Sequence, residues 1–428
     1  MPARGRPRLQ RPDRDQVELR PTHLDALLPP DHRARAAWDF VQGLDLSPLH
    51  GRIRAVEGHP GRPPIDPAIL VALWLYATLE GVGSARAVAR LVEEHDAYRW
   101  IAGGVGVNHH TLADVRTTDP DVLDGILAAS VAALVADGLV TLDRVAQDGM
   151  RVRASAGAAS YRSRDALDAA LADAEARVAA LRRELDDDPA ATSRRVAAAR
   201  ERAARERAER VRRALGRLPD VEAARRRNGG RAEDARASTT DPDARVMKMA
   251  DGGFRPAFNA QLATDTASGV IVGVDLADVG SDHGLLGPMV RRIAERHGRA
   301  PAEVLADGGF VTLDGIAGLA DAHGTIVYAP PTAPRDRSRD PFLPFPGDHP
   351  AVAAWRVRMG TDAAKAVYRE RAASAECINA QARNRGLQRF GVRGLARARA
   401  VLLWFALAHN LVRTLALRAS RTAAAGAV

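Results

Sequence analysis

Three acidic residues stand where their neighbours give a carboxylate something to do. Val145-Ala146-Gln147-Asp148-Gly149-Met150-Arg151-Val152-Arg153-Ala154 runs as an apolar β-type stretch, reaches Asp148 and then turns basic. Glu303-Val304-Leu305-Ala306-Asp307-Gly308-Gly309-Phe310 repeats the theme of an acid after a short buried strand, and Glu376 lies on a helical stretch from Tyr368 to Arg383. Carboxylates are hard oxygen ligands, and Mg²⁺ is typically held by only a few of them, with water and substrate phosphate completing its octahedron. Phosphodiester chemistry needs a nucleophilic oxygen, an in-line leaving oxygen and neutralised charge at phosphorus, which two such ions about 3.5–4 Å apart can provide. Taken singly, each acid has a plainer role: an Asp before Gly forms turns, and a helical Glu faces solvent.

On a continuous helix, Tyr368, Arg371, Glu376 and Arg383 fall within an arc of about 140°. An acid between two guanidinium groups makes sense where a phosphate fills the gap, because the planar fork grips phosphate oxygens. Arg385, Arg389, Arg393, Arg397 and Arg399 prolong this cationic track downstream. Asp251-Gly252-Gly253-Phe254 mimics the second acidic stretch, but Met247-Lys248-Met249-Ala250 is a poorer strand than Val304-Leu305-Ala306, so Asp307 is preferred.

The elements that must position these residues follow from patterning. Residues 1–20 form a basic, Pro-broken tail, expected to be flexible. Over 21–138 the chain is helical. Asp66-Pro67 caps an apolar run from Ile69 to Leu79, Ser84 caps a helix to about Glu94, Asn108 or Thr111 one to about Arg116, and Asp119-Pro120 one that closes at Gly138. Several short helices with Gly-containing turns permit a helix-turn-helix. From Leu139 to Ala154 the pattern turns to β, as it does over Phe258 to Val274, with a turn at Asp265-Thr266-Ala267-Ser268-Gly269, and at Val304 to Ala306 and Thr325 to Ala329. Asp282 is expected to open a helix through about His297, and Leu395 to about Ser420 a helix that covers the sheet. Strand, hairpin, helix, strand, helix is an α/β order with a mixed sheet.

Residues 163–230 interrupt that order. Leu167, Leu171, Ala174, Val178, Leu181 and Leu185 alternate by four and three, and Ala204, Ala208, Val211, Leu215 and Leu218 do the same after an Asp186-Asp187-Asp188-Pro189 break. This is the seam of an antiparallel coiled-coil hairpin. The catalytic unit therefore spans 139–420 around this insertion.

With 428 residues, 46% of them hydrophobic, the chain can bury several cores. It carries 62 Lys and Arg against 53 acids, a net charge of +9 that favours a polyanionic partner, although an Arg- and Ala-rich coding bias gives a similar excess. A single cysteine, Cys377, excludes a disulfide framework or cysteine-rich zinc module. Met1 to Arg14 has no apolar core of a signal peptide, and Val401 to Leu417, with His409, Asn410 and Arg413, falls short of the roughly 20 apolar residues a membrane span needs. A cytoplasmic, nucleoid-associated protein with no membrane partner is expected.

Gly61-Arg62-Pro63-Pro64, Leu75-Tyr76 with Gly81-Val82-Gly83-Ser84, Tyr98-Arg99-Trp100, Asp148-Gly149-Met150-Arg151-Val152, Ala306-Asp307-Gly308-Gly309-Phe310 and Tyr368-Arg369-Glu370-Arg371 come in a telling order. With Ala375-Glu376-Cys377-Ile378-Asn379, Asn384-Arg385-Gly386-Leu387, Phe390 and Arg393-Gly394, they resemble bacterial insertion-sequence transposases of the DDE class over about residues 15–415. The resemblance implies a ribonuclease-H-like catalytic core behind a helical N-terminal domain that binds DNA ends. It also implies Asp148, Asp307 and Glu376 as the acids that bind two Mg²⁺, for which Mn²⁺ can substitute, and Tyr368, Arg371 and Arg383 as phosphate contacts. The expected partners are terminal inverted repeats and target DNA, bound by a homodimer. The expected activity is cleavage at element ends followed by strand transfer. A non-catalytic end-binding repressor and a ribonuclease-H-like nuclease that only hydrolyses are the alternatives. Two departures stand out: four residues, Ala372 to Ala375, separate Arg371 from Glu376 where a related signature has three, and Met150 follows Gly149 where a small polar residue is common.

Overall fold

The computed structural model describes residues 23–55, 63–187, 194–227, 229–334, 336 and 338–425. The N-terminal tail, Gly61-Arg62 and Asp188-Pro189 lie outside them.

The N-terminal region is helical: α1 (Arg33–Gln42), α2 (Ser47–His50), α3 (Pro67–Leu79), α4 (Ala85–Glu94), α5 (Asp96–Ala102), α6 (His109–Arg116) and α7 (Pro120–Ala136). Their starts are chemically explicit. The side chains of Asp66, Ser84, Asn108 and Asp119 each accept a backbone N–H of the first turn, and Pro67 and Pro120 occupy first helical positions, where no N–H is needed. Nearly every residue of α3 from Pro67 to Ala77 is buried, so this helix needs partners on all sides.

A mixed sheet follows. Its centre is β1 (Arg144–Arg153), flanked on one side by antiparallel β5 (Phe254–Asp265) over the full length from Val145 to Arg153. The far edge of β5 carries β4 (Arg245–Lys248) and β6 (Ile271–Ala277), both antiparallel to it. On its other side β1 pairs in parallel with β7 (Glu303–Leu305), which pairs in parallel with β8 (Ile326–Tyr328). The β5–β6 turn is the one the sequence suggests: Asp265 accepts the N–H and hydroxyl of Ser268, and Gly269 takes φ 70°.

Between β1 and β4 the chain makes a short ribbon of β2 (Tyr161–Arg162) and β3 (Ala237–Ser238), with α8 (Arg164–Asp187) and α9 (Arg194–Arg227) packed together between them. The pairs Arg164–Glu222, Arg212–Glu175 and Arg182–Glu201 show that the two helices run antiparallel. Of the seam positions, Leu167, Ala174 and Leu181 on α8 and Ala208, Val211 and Leu218 on α9 are buried, while Leu171, Val178, Ala204 and Leu215 are half-buried.

Helices α10 (Leu286–His297), α11 (Leu313–His323), α12 (Pro350–Met359), α13 (Asp362–Arg371), α14 (Cys377–Asn384) and α15 (Leu395–Ala425) complete the fold. Two expectations need correction. Asp282 does not start α10, which begins at Leu286 after Gly284 at φ 81°; the Asp282 carboxylate is occupied by the sheet instead. The stretch from Tyr368 to Arg383 is not one α-helix either, because Ala372–Glu376 forms a π-helical turn between α13 and α14.

By length and composition α15 does pass for a membrane span, contrary to the count of apolar residues above, but 72% of its most apolar stretch is buried within the molecule. One continuous core joins residues of α3, such as Leu73 and Trp74, to Phe258 of β5, Phe390, and Trp404 of α15. A second core lies between β7, β8 and the helices α10 to α13.

Candidate active site

Asp148 lies in the middle of β1, opposite Leu262 of β5. One carboxylate oxygen accepts the Asn379 side-chain amide at 2.9 Å, and the other accepts the Gly149 N–H at 2.9 Å, with the Arg371 guanidinium 3.7 Å away. Burial pushes the Asp148 carboxyl above its ordinary range. The Gly149 N–H and Arg371 pull the other way, and the charges of Asp282 and Glu376 add to the upward push.

Arg371 reaches a second carboxylate as well: its Nη2 donates to Glu376 Oε1 at 2.9 Å. On an unbroken α-helix these two residues would sit about 140° apart. The π-turn, with its wider i→i+5 hydrogen bonding, absorbs the fourth alanine-type spacer residue and returns Glu376 to the face of Arg371. Glu376, Asn379 and Arg383 then share one face of α14 at spacings of three and four. The Arg371 guanidinium also lies 5.7 Å from the centre of the Tyr368 ring. Burial raises the Tyr368 phenol, Arg371 opposes that, and the nearby charges of Asp307 and Glu376 raise it further.

Asp307 follows β7. Ala146 of β1 pairs with Leu305 of β7, so Asp148, within β1, and Asp307, just past the end of β7, each stand two residues beyond that last pair. Its Oδ1 accepts the Gly309 N–H at 2.9 Å, which makes it a turn former too. Gly308 is required there, since a Cβ would lie 2.6 Å from the Pro330 carbonyl oxygen. Asp251, the rival second acid, sits in the exposed β4–β5 turn and pairs with Arg255 at 2.7 Å.

Asp148 and Glu376 thus converge on one guanidinium. Among the described residues, however, no three Asp, Glu, His or Cys side chains are gathered closely enough to hold one ion. The donors are carboxylate oxygens, the kind a hard divalent cation takes, and the Arg371 guanidinium lies between Asp148 and Glu376. Of the downstream arginines, Arg399 is committed elsewhere, to Asp121 at 3.0 Å and Asp124 at 2.7 Å, and does not extend a free cationic track. Arg383 is exposed and, among the described residues, makes no ion pair.

Sequence reasoning missed two groups. Asn379 was visible only as part of the motif after Glu376, although its position three residues on marks it as a neighbour. Asp282 gave no signal, because its role depends on how the loop after β6 folds back. Its carboxylate accepts Asn259 Nδ2 at 2.7 Å, Gln261 Nε2 at 2.8 Å and Arg151 at 3.1 Å, directly beneath Gly149. The departure at Met150 has a plain cause: the side chain is buried in the main core.

A transposase domain family (DUF772) matches residues 22–118, and a transposase DDE domain matches residues 348–415. The first covers α1 to α6. The second covers Tyr368, Arg371, Glu376 and Arg383, and leaves Asp148 and Asp307 outside. No curated protein and no solved structure matches the chain. The DDE match supports a DNA-processing enzyme. Both matches taken together support an insertion-sequence DDE-type transposase, acting in transposition and DNA recombination. Transposases of this class generally use divalent metals.

Proposed function

We propose that the chain cleaves DNA at the ends of an insertion sequence and transfers the freed strand into target DNA, with Asp148, Asp307 and Glu376 as its essential acids. The observation that carries this reading is the bridge of Arg371 between Asp148 on the central strand and Glu376 on the helix beside it. The strand order, with a three-stranded antiparallel half joined through β1 to parallel β7 and β8, supports a ribonuclease-H-like core.

Asp148, Asp307 and Glu376 would hold Mg²⁺ or Mn²⁺, which supplies charge neutralisation at phosphorus and activates the attacking oxygen. The protein's own groups do the rest. Asn379 fixes the rotamer of Asp148. Arg371 offers a guanidinium beside both acids, so that a phosphate entering there meets a planar donor pair. Tyr368 and Arg383 extend this contact along the strand. Helices α1 to α6 select the terminal repeats, and a homodimer pairs the two ends in the cytoplasm, with α8 and α9 available for subunit contact.

Asp148→Asn, Asp307→Asn and Glu376→Gln should each cut end DNA at least about a hundredfold more slowly, the scale of losing a preorganised charged group, while still binding it in a gel-shift assay. Full cleavage by purified Asp307→Ala protein would defeat the assignment. Joined products, and not only free cut ends, separate strand transfer from hydrolysis.

A further inference from the structure

Beyond Asp148, β1 continues through Gly149, Arg151 and Arg153, which alternate to the sheet face opposite that acid. They open on a groove of about 670 Å³, walled on one side by the turn between β4 and β5 and on the other by α14. Its cations are Arg151, Arg153, Lys248, Arg255 and Arg383, and the one carboxylate lining it is Asp251. Two of the five are neutralised within the fold: Arg255 by Asp251 at 2.7 Å, and Arg151 by Asp282 at 3.1 Å, with a further bond to the Gly280 carbonyl. Arg153, Lys248 and Arg383 are exposed and, among the described residues, face no acid within ion-pair distance. Three exposed cations that line one concavity without an acid partner suit an anion that carries several charges along a line.

We infer that this groove is a second DNA site, holding the phosphodiester backbone that flanks the strand bound at the acids. The inference rests on the DNA-processing reading above. Its geometry connects the two regions: Gly149 adjoins Asp148 in β1, and Arg383 shares the helical face of Asn379, which bonds Asp148.

The test uses the full chain and a fluorescein-labelled DNA duplex of mixed sequence, with affinity measured as a function of salt. Each phosphate contact contributes about −0.9 to the slope of log affinity against log salt. The double variant R153Q/K248Q should bind more weakly and lose roughly 1.8 from the slope. A control, R177Q/R183Q, removes the same charge from the exposed side of α8 and should leave the slope near that of the wild type. An unchanged slope in R153Q/K248Q, or an equal loss in both variants, overturns the assignment. The catalytic reading stands or falls separately. If the wild type cuts end DNA while R153Q/K248Q keeps its slope, only the groove is wrong; if R153Q/K248Q loses slope and the wild type never cuts, only the catalytic role is wrong.

Discussion

Gly149 separates two crowded faces of the same strand. Its neighbour Asp148 turns toward Asn379 and Arg371, while its own Cα faces the buried cluster of Asp282, Gln261 and Asn259. A Cβ built there would lie 2.3 Å from Asp282 Oδ1, 2.5 Å from Gln261 Nε2 and 3.1 Å from Asn259 Oδ1. All three atoms are tied into one hydrogen-bonded cluster, in which Asn259 and Gln261 donate to Asp282. Gly149→Ala should therefore destabilise the protein by about 1–3 kcal/mol, the usual cost of overpacking, read as a lower urea midpoint. Adding Asp282→Ala removes the closest contact and should recover part of the loss; a Gly149→Ala protein as stable as the wild type would show that the cluster yields to a methyl group. This also explains what was legible at the level of single residues. Asp148, Asp307 and Glu376 stand out in the sequence by the β-type runs before the two aspartates and by the motif around the glutamate, although Asp148 lies within β1 and not at its end. Asp282 does not stand out, because three donors from two strands reach it only after the chain folds, and nothing in Ser281-Asp282-His283 differs from a helix start.

At the scale of the element, the helices and the hairpin turn were readable because their signals are local: a capping side chain, a proline at the first turn, an Asp and Gly at the ends of a turn. The π-turn was not. Ala372 to Ala375 reads as ordinary helix with one residue more than a related signature, and the structure shows how that residue is accommodated, with Arg371 and Glu376 brought into an ion pair. A π-turn of this kind behaves as a one-residue insertion into an α-helix, and that gives an asymmetric prediction. Deleting Ala373, which is exposed, lets the segment close as α-helix with Arg371 and the glutamate still facing each other, so DNA cleavage should stay within about tenfold, with no transition-state contact displaced. Inserting one further alanine after Ala373 rotates Glu376 by about 100° and should cost on the order of a hundredfold, as misplacement of a reacting group does. Equal losses in a cleavage assay would mean that the π-turn itself, and not the phase it restores, matters.

For the molecule as a whole, α15 ties the helical region to the sheet. Trp404 Nε1 donates to the Arg116 carbonyl at the end of α6, while three residues farther along hold the β5–β6 turn. Asn410 exchanges two 2.8 Å hydrogen bonds with the Ile271 backbone, Arg413 donates to the Ser268 carbonyl, and His409 Nε2 donates to the Gly269 carbonyl at 2.9 Å. The polar residues that interrupt the apolar run of α15 are thus its attachments to the sheet. His409 is buried and, among the described residues, has no partner for Nδ1; burial lowers its pKa to about 4, the hydrogen bond to Gly269 opposes that, and Arg385 and Arg413 add to the lowering, so the ring is held neutral. Above about pH 6.5 both folded and unfolded chains carry a neutral imidazole, and His409 makes no pH-dependent contribution. As the pH falls from 6.5 toward 4, the unfolded chain takes up a proton that the folded one refuses, so stability declines by roughly 3 kcal/mol over that window. Below it the folded protein also protonates and the decline ends. His409→Gln keeps a donor for Gly269 without a titrating ring. Its stability at neutral pH should be lower than that of the wild type, but its urea midpoint should fall less steeply between pH 6.5 and 4, so that the two curves approach each other in acid. Parallel curves across that range would place the proton uptake on another group, His297 on α10 being the first to examine, since burial lowers it as well.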